Sequence, residues 1–136
     1  MIDDWQIQRA MRIHLDTVTE IPTKEYRAWE NKHFDPPEDQ DWITETMIHG
    51  EEDIVANDEV KQIGIYQLDL MTPLGSSIKE AKAVATAIKQ KFKPYTSLTG
   101  DITVTITKSQ IAGGFRSGAW YQIPVRIYYK TYSTNN

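Results

Sequence analysis

The pair Pro36-Pro37, set between Trp29 and Phe34 on one side and Trp42 on the other, constrains this chain more than any other stretch. Consecutive prolines fix φ and remove two backbone donors, so no helix and no central strand can run through them. The apolar residues on either side must therefore belong to separate elements. The reading is a short strand over Tyr26 to about Asn31, a Pro-bent crossover, and a new strand opening at Trp42. Trp29, Phe34 and Trp42 are then rigid anchors holding the crossover against a core, where clustered aromatics usually sit. Nothing in this stretch resembles catalytic machinery.

A chain of 136 residues fits one domain. The expectation is a single α+β domain over residues 1–132 with a flexible polar tail, Ser133 to Asn136. The formal charge of −4 argues against non-specific nucleic-acid binding, which needs a basic surface to displace counterions. The absence of cysteine excludes a disulfide framework, thiolate chemistry and a cysteine-type zinc site. No apolar run approaches a membrane span, and the N-terminus lacks a basic region followed by an apolar one. The protein is therefore expected on the cytoplasmic side.

Ile7, Met11, Leu15 and Val18 recur at helical spacing, with Asp3 and Asp4 at the positive end of the helix dipole. Pro22 ends that amphipathic helix. From Trp42 to His49 both alternating faces are mixed in polarity, which suits an edge strand. Gly50–Glu59, with Glu51, Glu52, Asp53, Asp58 and Glu59, reads as an acidic loop or loose hairpin tip. Val60–Met71 is a strand in which Gly64 marks a bulge or a close backbone approach. Ser76 or Ser77 is the expected N-cap of a second helix, with Glu80 completing a capping box. Its stripe is Ile78, Ala81, Ala85, Ile88 and Phe92, and Pro94 stops it. Ile102, Val104 and Ile106 alternate with threonines over Asp101–Lys108, a half-buried strand. Ser109–Gly118 reads as a glycine-bearing loop. Trp120 opens the last strand, Trp120–Thr131, and is a further anchor; Pro124 suggests an edge position or a bulge. Together these elements predict a two-layer α+β sandwich, a mostly antiparallel mixed sheet of four to five strands with two main helices.

No constellation in the sequence carries chemistry. His14, His33 and His49 are not at metal-ligand spacing. Asp35, Glu38, Asp39 and Asp41 lack the glycine and terminal glutamate of a calcium loop. Gly75-Ser76-Ser77 lacks the phosphate-loop lysine, and Ser117 lies in no nucleophile-elbow pattern. No catalytic residue, metal or cofactor is expected. Two segments suit intermolecular contact instead: Glu51, Glu52 and Asp53 in the acidic loop, and Ile111, Phe115 and Arg116 in the glycine-bearing one.

Read in order, these features resemble the tail terminator proteins of long-tailed bacteriophages. The likeness runs through the N-terminal amphipathic helix, Ala28-Trp29-Glu30-Asn31, Phe34-Asp35-Pro36-Pro37 and the Trp42 strand. It continues through the Gly64 strand ending Thr72-Pro73-Leu74-Gly75, the helix ending in Phe92, Trp120-Tyr121 and Pro124-Val125. It breaks at Ser76-Ser77, where a glycine-rich turn is the pattern, at the acidic loop and at the polar tail. The resemblance implies a virion structural subunit of the tail neck, assembled in the host cytoplasm. Such a subunit forms a six-fold ring that caps the tail tube, stops its polymerisation and meets the head. Its partners would be its own copies, the major tail tube protein and a head-completion or neck protein, with no sequence-specific nucleic acid and no membrane. The competing readings are another head–tail joining protein and, from a different class, a small enzyme or ligand-binding domain.

Overall fold

The computed structural model describes residues 3–56, 59–99 and 102–134. Helix α1 spans Asp4–Leu15 and α2 spans Lys79–Lys91. The strands are β1 (Arg27–Ala28), β2 (Trp42–Ala56), β3 (Glu59–Pro73), β4 (Ser97–Thr99), β5 (Thr103–Ile111), β6 (Phe115–Ser117) and β7 (Trp120–Thr134). Their order across the sheet is β1-β2-β3-β7-β5-β4, with β6 pairing β7 beside the end of β5. All pairs are antiparallel except β1–β2. The α+β class holds, and the sheet has seven strands where four to five were expected.

Both helices lie on one face of the sheet and share one core with it. Ile7, Met11 and Leu15 of α1 and Ala81, Ala85 and Ile88 of α2 meet Tyr66, Leu68, Leu70, Ile123, Val125 and Ile127. The alternation explains this division. Met47, Tyr66 and Ile127 are cross-strand partners facing the helices, whereas Ile48, Ile65 and Tyr128 form the next row on the opposite face. Asp3 caps α1, its carboxylate accepting from Trp5 N–H and the Gln6 side chain answering Asp3 N–H.

Several local expectations are corrected. No capping box forms at α2: its N-cap is Ile78, Ser76 Oγ turns back to donate to Pro73 O, and Ser77 Oγ accepts only Lys79 N–H. The strand expected from Tyr26 is a 3-10 turn, Lys24–Tyr26, followed by the two residues of β1. Of the two readings of the acidic segment, loop or loose hairpin tip, the hairpin holds, but most of it is strand: Glu51, Glu52 and Asp53 continue β2 and Glu59 begins β3; Asp58 lies outside the described residues. The glycine-bearing segment is mostly strand too, with Ile111 ending β5 and Phe115–Ser117 forming β6. Asp101 lies outside the described residues. Ser133 and Thr134, expected in the tail, pair with Val60 and Glu59, while Asn135 and Asn136 are not described.

Pro124 sits neither at an edge nor in a bulge. It lies in β7, which runs between β3 and β5, at the step where β6 pairing ends at Gln122 and β5 pairing begins at Val125. Its carbonyl accepts Ala112 N–H, so its donorless nitrogen faces the break between β5 and β6, where no ladder bond is lost.

Candidate functional site

Three features of the sheet place side chains where they can act: a buried polar latch, a long arm and an aromatic corner. The latch begins with an oddity of β2. Ile43, Glu45 and Met47 share the core face, so a carboxylate stands between two buried hydrophobes. Glu45 is fully partnered. Its Oε1 accepts from Gln8 Nε2 at 2.9 Å and from the Arg12 guanidinium, whose Nε is at 2.8 Å; Oε2 accepts Tyr66 OH at 2.6 Å. Gln8 and Arg12 are one turn apart on α1, so one helix face grips one carboxylate. The guanidinium also lies over Trp29 at 4.6 Å and Trp5 at 5.2 Å. Burial opposes the charge on Arg12, yet the Glu45 hydrogen bond and charge win and hold its pKa above the ordinary value. Burial, then the charge and hydrogen bond of Glu45, push the Tyr66 phenol well above its ordinary range. Both carboxylate oxygens of Glu45 are taken up inside the protein, and the cluster fastens α1 to the sheet.

His14 completes the attachment. Its Nε2 donates to Lys91 O at 2.8 Å, and its ring meets Phe92 edge-on with centroids 4.7 Å apart. This histidine joins the two helices, a role hidden in the sequence because its partner is 77 residues away.

The arm is the outer half of the β2–β3 hairpin. Gly50 and Glu51 together oppose Ile63, a bulge that shifts the register between His49 and Glu52. Beyond it Glu51, Glu52, Asp53, Ile54 and Val55 are all exposed, Ile54 at 75%. Gly64 at the base of the arm marks a close approach, as its position in the strand suggested. A Cβ there would fall 2.8 Å from Ile48 O and against the hydroxyl of Tyr129, its cross-strand partner. Burial raises the Tyr129 pKa to about 12.

The aromatic corner is at the other end of the sheet. Phe34 and Trp42 are 4.9 Å apart, and Trp42 meets Trp120 edge-on at 5.6 Å. Phe34, Trp42 and Trp120 thus form one cluster beside the Pro36-Pro37 crossover, while Trp29 belongs to the latch. Phe115, Arg116 and Ile111 lie near this corner and are exposed. β6 is held by Phe115–Gln122 and Arg116–Tyr121 pairing, and Gly114 lets the Tyr121 ring pack on the backbone. A cleft of about 320 Å³ runs between this segment and α2, lined by Lys82, Thr86, Ile111 and Tyr121 among others.

The structure does not bring the two groups of candidate contact residues together. Phe115 is level with Gln122, and the arm is level with Ser133–Thr134. About eleven residues of β7 separate the two levels, roughly 35–40 Å at ~3.3 Å per residue. Among the described residues no cluster of three or more His, Asp or Glu could hold a metal ion, and no helix is long and apolar enough to cross a membrane.

A solved structure shares this fold over 96% of both chains, with a TM-score of 0.71 at 18% identity. No curated protein matches the sequence. The family model described as phage tail terminator protein matches residues 6–129, from within α1 to Tyr129 in β7. The chain belongs to the phage tail terminator protein family, a family of structural proteins of the phage tail.

Proposed function

We propose that the chain caps the finished tail tube as a six-fold ring, stops further addition of tube subunits and presents the surface that meets the head. The observation that carries this reading is the family match over residues 6–129, joined to a subunit shape that suits it. The candidate contact residues fall into two groups at opposite ends of one sheet. A subunit lying between a tube and a head, with copies of itself on either side, needs separate surfaces of this kind. A closed ring is built from heterologous contacts, in which two different patches of each copy meet.

Within this reading the Phe115–Arg116 turn contacts the tail, with Ile111 beside it, and the arm carrying Glu51, Glu52 and Asp53 reaches a neighbouring subunit. An exposed aromatic beside an arginine is the composition of an interface anchor. Trp29, Phe34, Trp42, Trp120 and the Pro36-Pro37 crossover are structural anchors that fix the corner from which the turn projects.

The test is negative-stain electron microscopy of lysates from phage lacking this gene. Overlong headless tubes beside filled tailless heads are the expected outcome, because unchecked polymerisation is the specific defect of a missing cap. Tails of normal length that fail to attach would assign the protein to head–tail joining instead. Intact infectious particles would overturn the structural reading. Replacing Phe115 and Arg116 with alanine should weaken capping, and unchanged tail joining would remove that turn from the interface.

A further inference from the structure

The face of the sheet away from the helices holds a groove of about 400 Å³ at the base of the arm. Its floor is the row Ile48, Ile65 and Tyr128 with Ile63 beside it, and Ile48 and Ile63 are about 40% exposed. Its charged lining is Lys61 and Lys130, with no carboxylate; His49 borders it through the strand, but its imidazole lies 3.7 Å from Asp4 of α1 on the helix side. Lys108, opposite Tyr128 on β5, adds a third amine 4.9 Å from that ring. None of these lysines is in an ion pair among the described residues. An apolar floor with a cationic rim selects an occupant that is apolar and acidic together.

One described segment of the chain has that composition. The arm presents Glu51 and Asp53 immediately before Ile54 and Val55, and Ile54 is the most exposed aliphatic side chain of the described residues. Lys61 already faces Asp53 across the arm of its own chain, but the apolar floor is out of reach of Ile54 and Val55, because β2 stays paired with β3 through Ala56–Glu59 and cannot fold back. We propose that the arm of one copy docks in this groove of the next copy, Ile54 and Val55 on the isoleucine–tyrosine floor and Glu51 and Asp53 beside Lys108 and Lys130. The inference rests on the ring reading above, since it names the contact by which one subunit meets its neighbour. The β2 acids play a double part in it: they keep a bare strand edge from non-specific pairing, and they choose the lysine-rimmed face as partner.

The absence of cysteine makes the contact directly testable. The purified full chain carrying Ile54→Cys and Ile65→Cys is oxidised mildly and run on a denaturing gel. Within one chain the two sites are separated by about five residues of strand, roughly 17 Å at ~3.4 Å per residue, well outside the ~7 Å reach of a disulfide. Every bond must therefore join two copies. The expected result is a ladder of covalent multimers, at least about tenfold stronger than from Ile54→Cys with Ser97→Cys, which places the second thiol on a distant exposed strand. Adding Lys108→Glu and Lys130→Glu should remove the ladder, and adding Glu51→Lys and Asp53→Lys to that variant should bring it back. Recovery by charge exchange separates a contact from a folding defect. A ladder no stronger than the Ser97 control, or one indifferent to the charge reversals, overturns the proposal. Tail length in infected cells is scored separately. Normal tails from phage whose protein gives no Ile54–Ile65 bond would reject the arm-in-groove contact and leave tail termination standing; intact phage without the gene would reject termination itself.

Discussion

The two halves of the β2–β3 hairpin are one continuous pair of strands put to opposite uses. In the inner half, Trp42–Met47 against Tyr66–Met71, the helices cover one face and even a carboxylate is buried and fully bonded. In the outer half, beyond the Gly50–Glu51 bulge, the same two strands leave isoleucine and valine in water. Backbone pairing is similar in both, so pairing alone does not decide which part of a sheet is core. What lies above the sheet does, and here α1 stops short of the arm. The inner half is packed into the core, and the outer half stays exposed.

Substitutions can break this contrast, and the largest effect belongs to the latch. Glu45→Ala should cost about 3–5 kcal/mol in urea unfolding, since it leaves Arg12, Gln8 and Tyr66 with a lost partner in a buried site. A loss under about 1 kcal/mol would show that the cluster relaxes into solvent and that α1 is held by its apolar stripe alone. Next is the boundary between the halves. Gly64→Ala should cost about 1–3 kcal/mol, because the new methyl meets the Ile48 carbonyl and the Tyr129 hydroxyl and one strand must shift.

The buried phenols sharpen the contrast by pH. Tyr129 has its pKa raised to about 12 by burial, and Tyr66 is also raised well above its ordinary value. A phenol harder to ionise in the folded state contributes stability that is intact below the unfolded value near ~10. That stability is lost as the pH rises from there through the folded value. Urea midpoints should therefore fall steadily above about pH 10, and Tyr129→Phe should flatten part of that decline. A midpoint independent of pH in this range would contradict the burial of both rings. The smallest effect is expected at the arm: Ile54→Asp should change stability by no more than about 0.5 kcal/mol, because the side chain is already in water. A larger loss would show that the tip supports the fold of its own chain.

The same contrast explains what the sequence made legible. Periodicity located α1 through Ile7, Met11 and Leu15, α2 through Ala81, Ala85 and Ile88, and the start of β5 through Val104 and Ile106. In each case apolar residues must face a core, and the spacing reports which element carries them. The arm was only partly legible, because Glu51, Glu52 and Asp53 read as a loop or loose hairpin tip, and its strand form depends on pairing with β3. β6 was hidden for a related reason: three residues flanked by glycines have no period to detect. The latch did leave a signal, a glutamate alternating with Ile43 and Met47, but its partners Gln8 and Arg12 lie more than thirty residues earlier and are set by the way α1 packs. The two contact groups were named from composition, and their placement at opposite ends of the sheet required the register of β7.

That register also bears on how the chain comes into being. β7 is last in the sequence yet lies inside the sheet, between β3 on one side and β5 and β6 on the other. Among the described residues no other strand pairing bridges the β1–β2–β3 half to the β4–β5 half. The two halves cannot be joined into one sheet until Trp120–Thr134 has been synthesised. Closure then depends on pairing residues far apart in sequence, which slows folding. A chain cut short before that strand has no completed sheet with which to compete for a place in the tail.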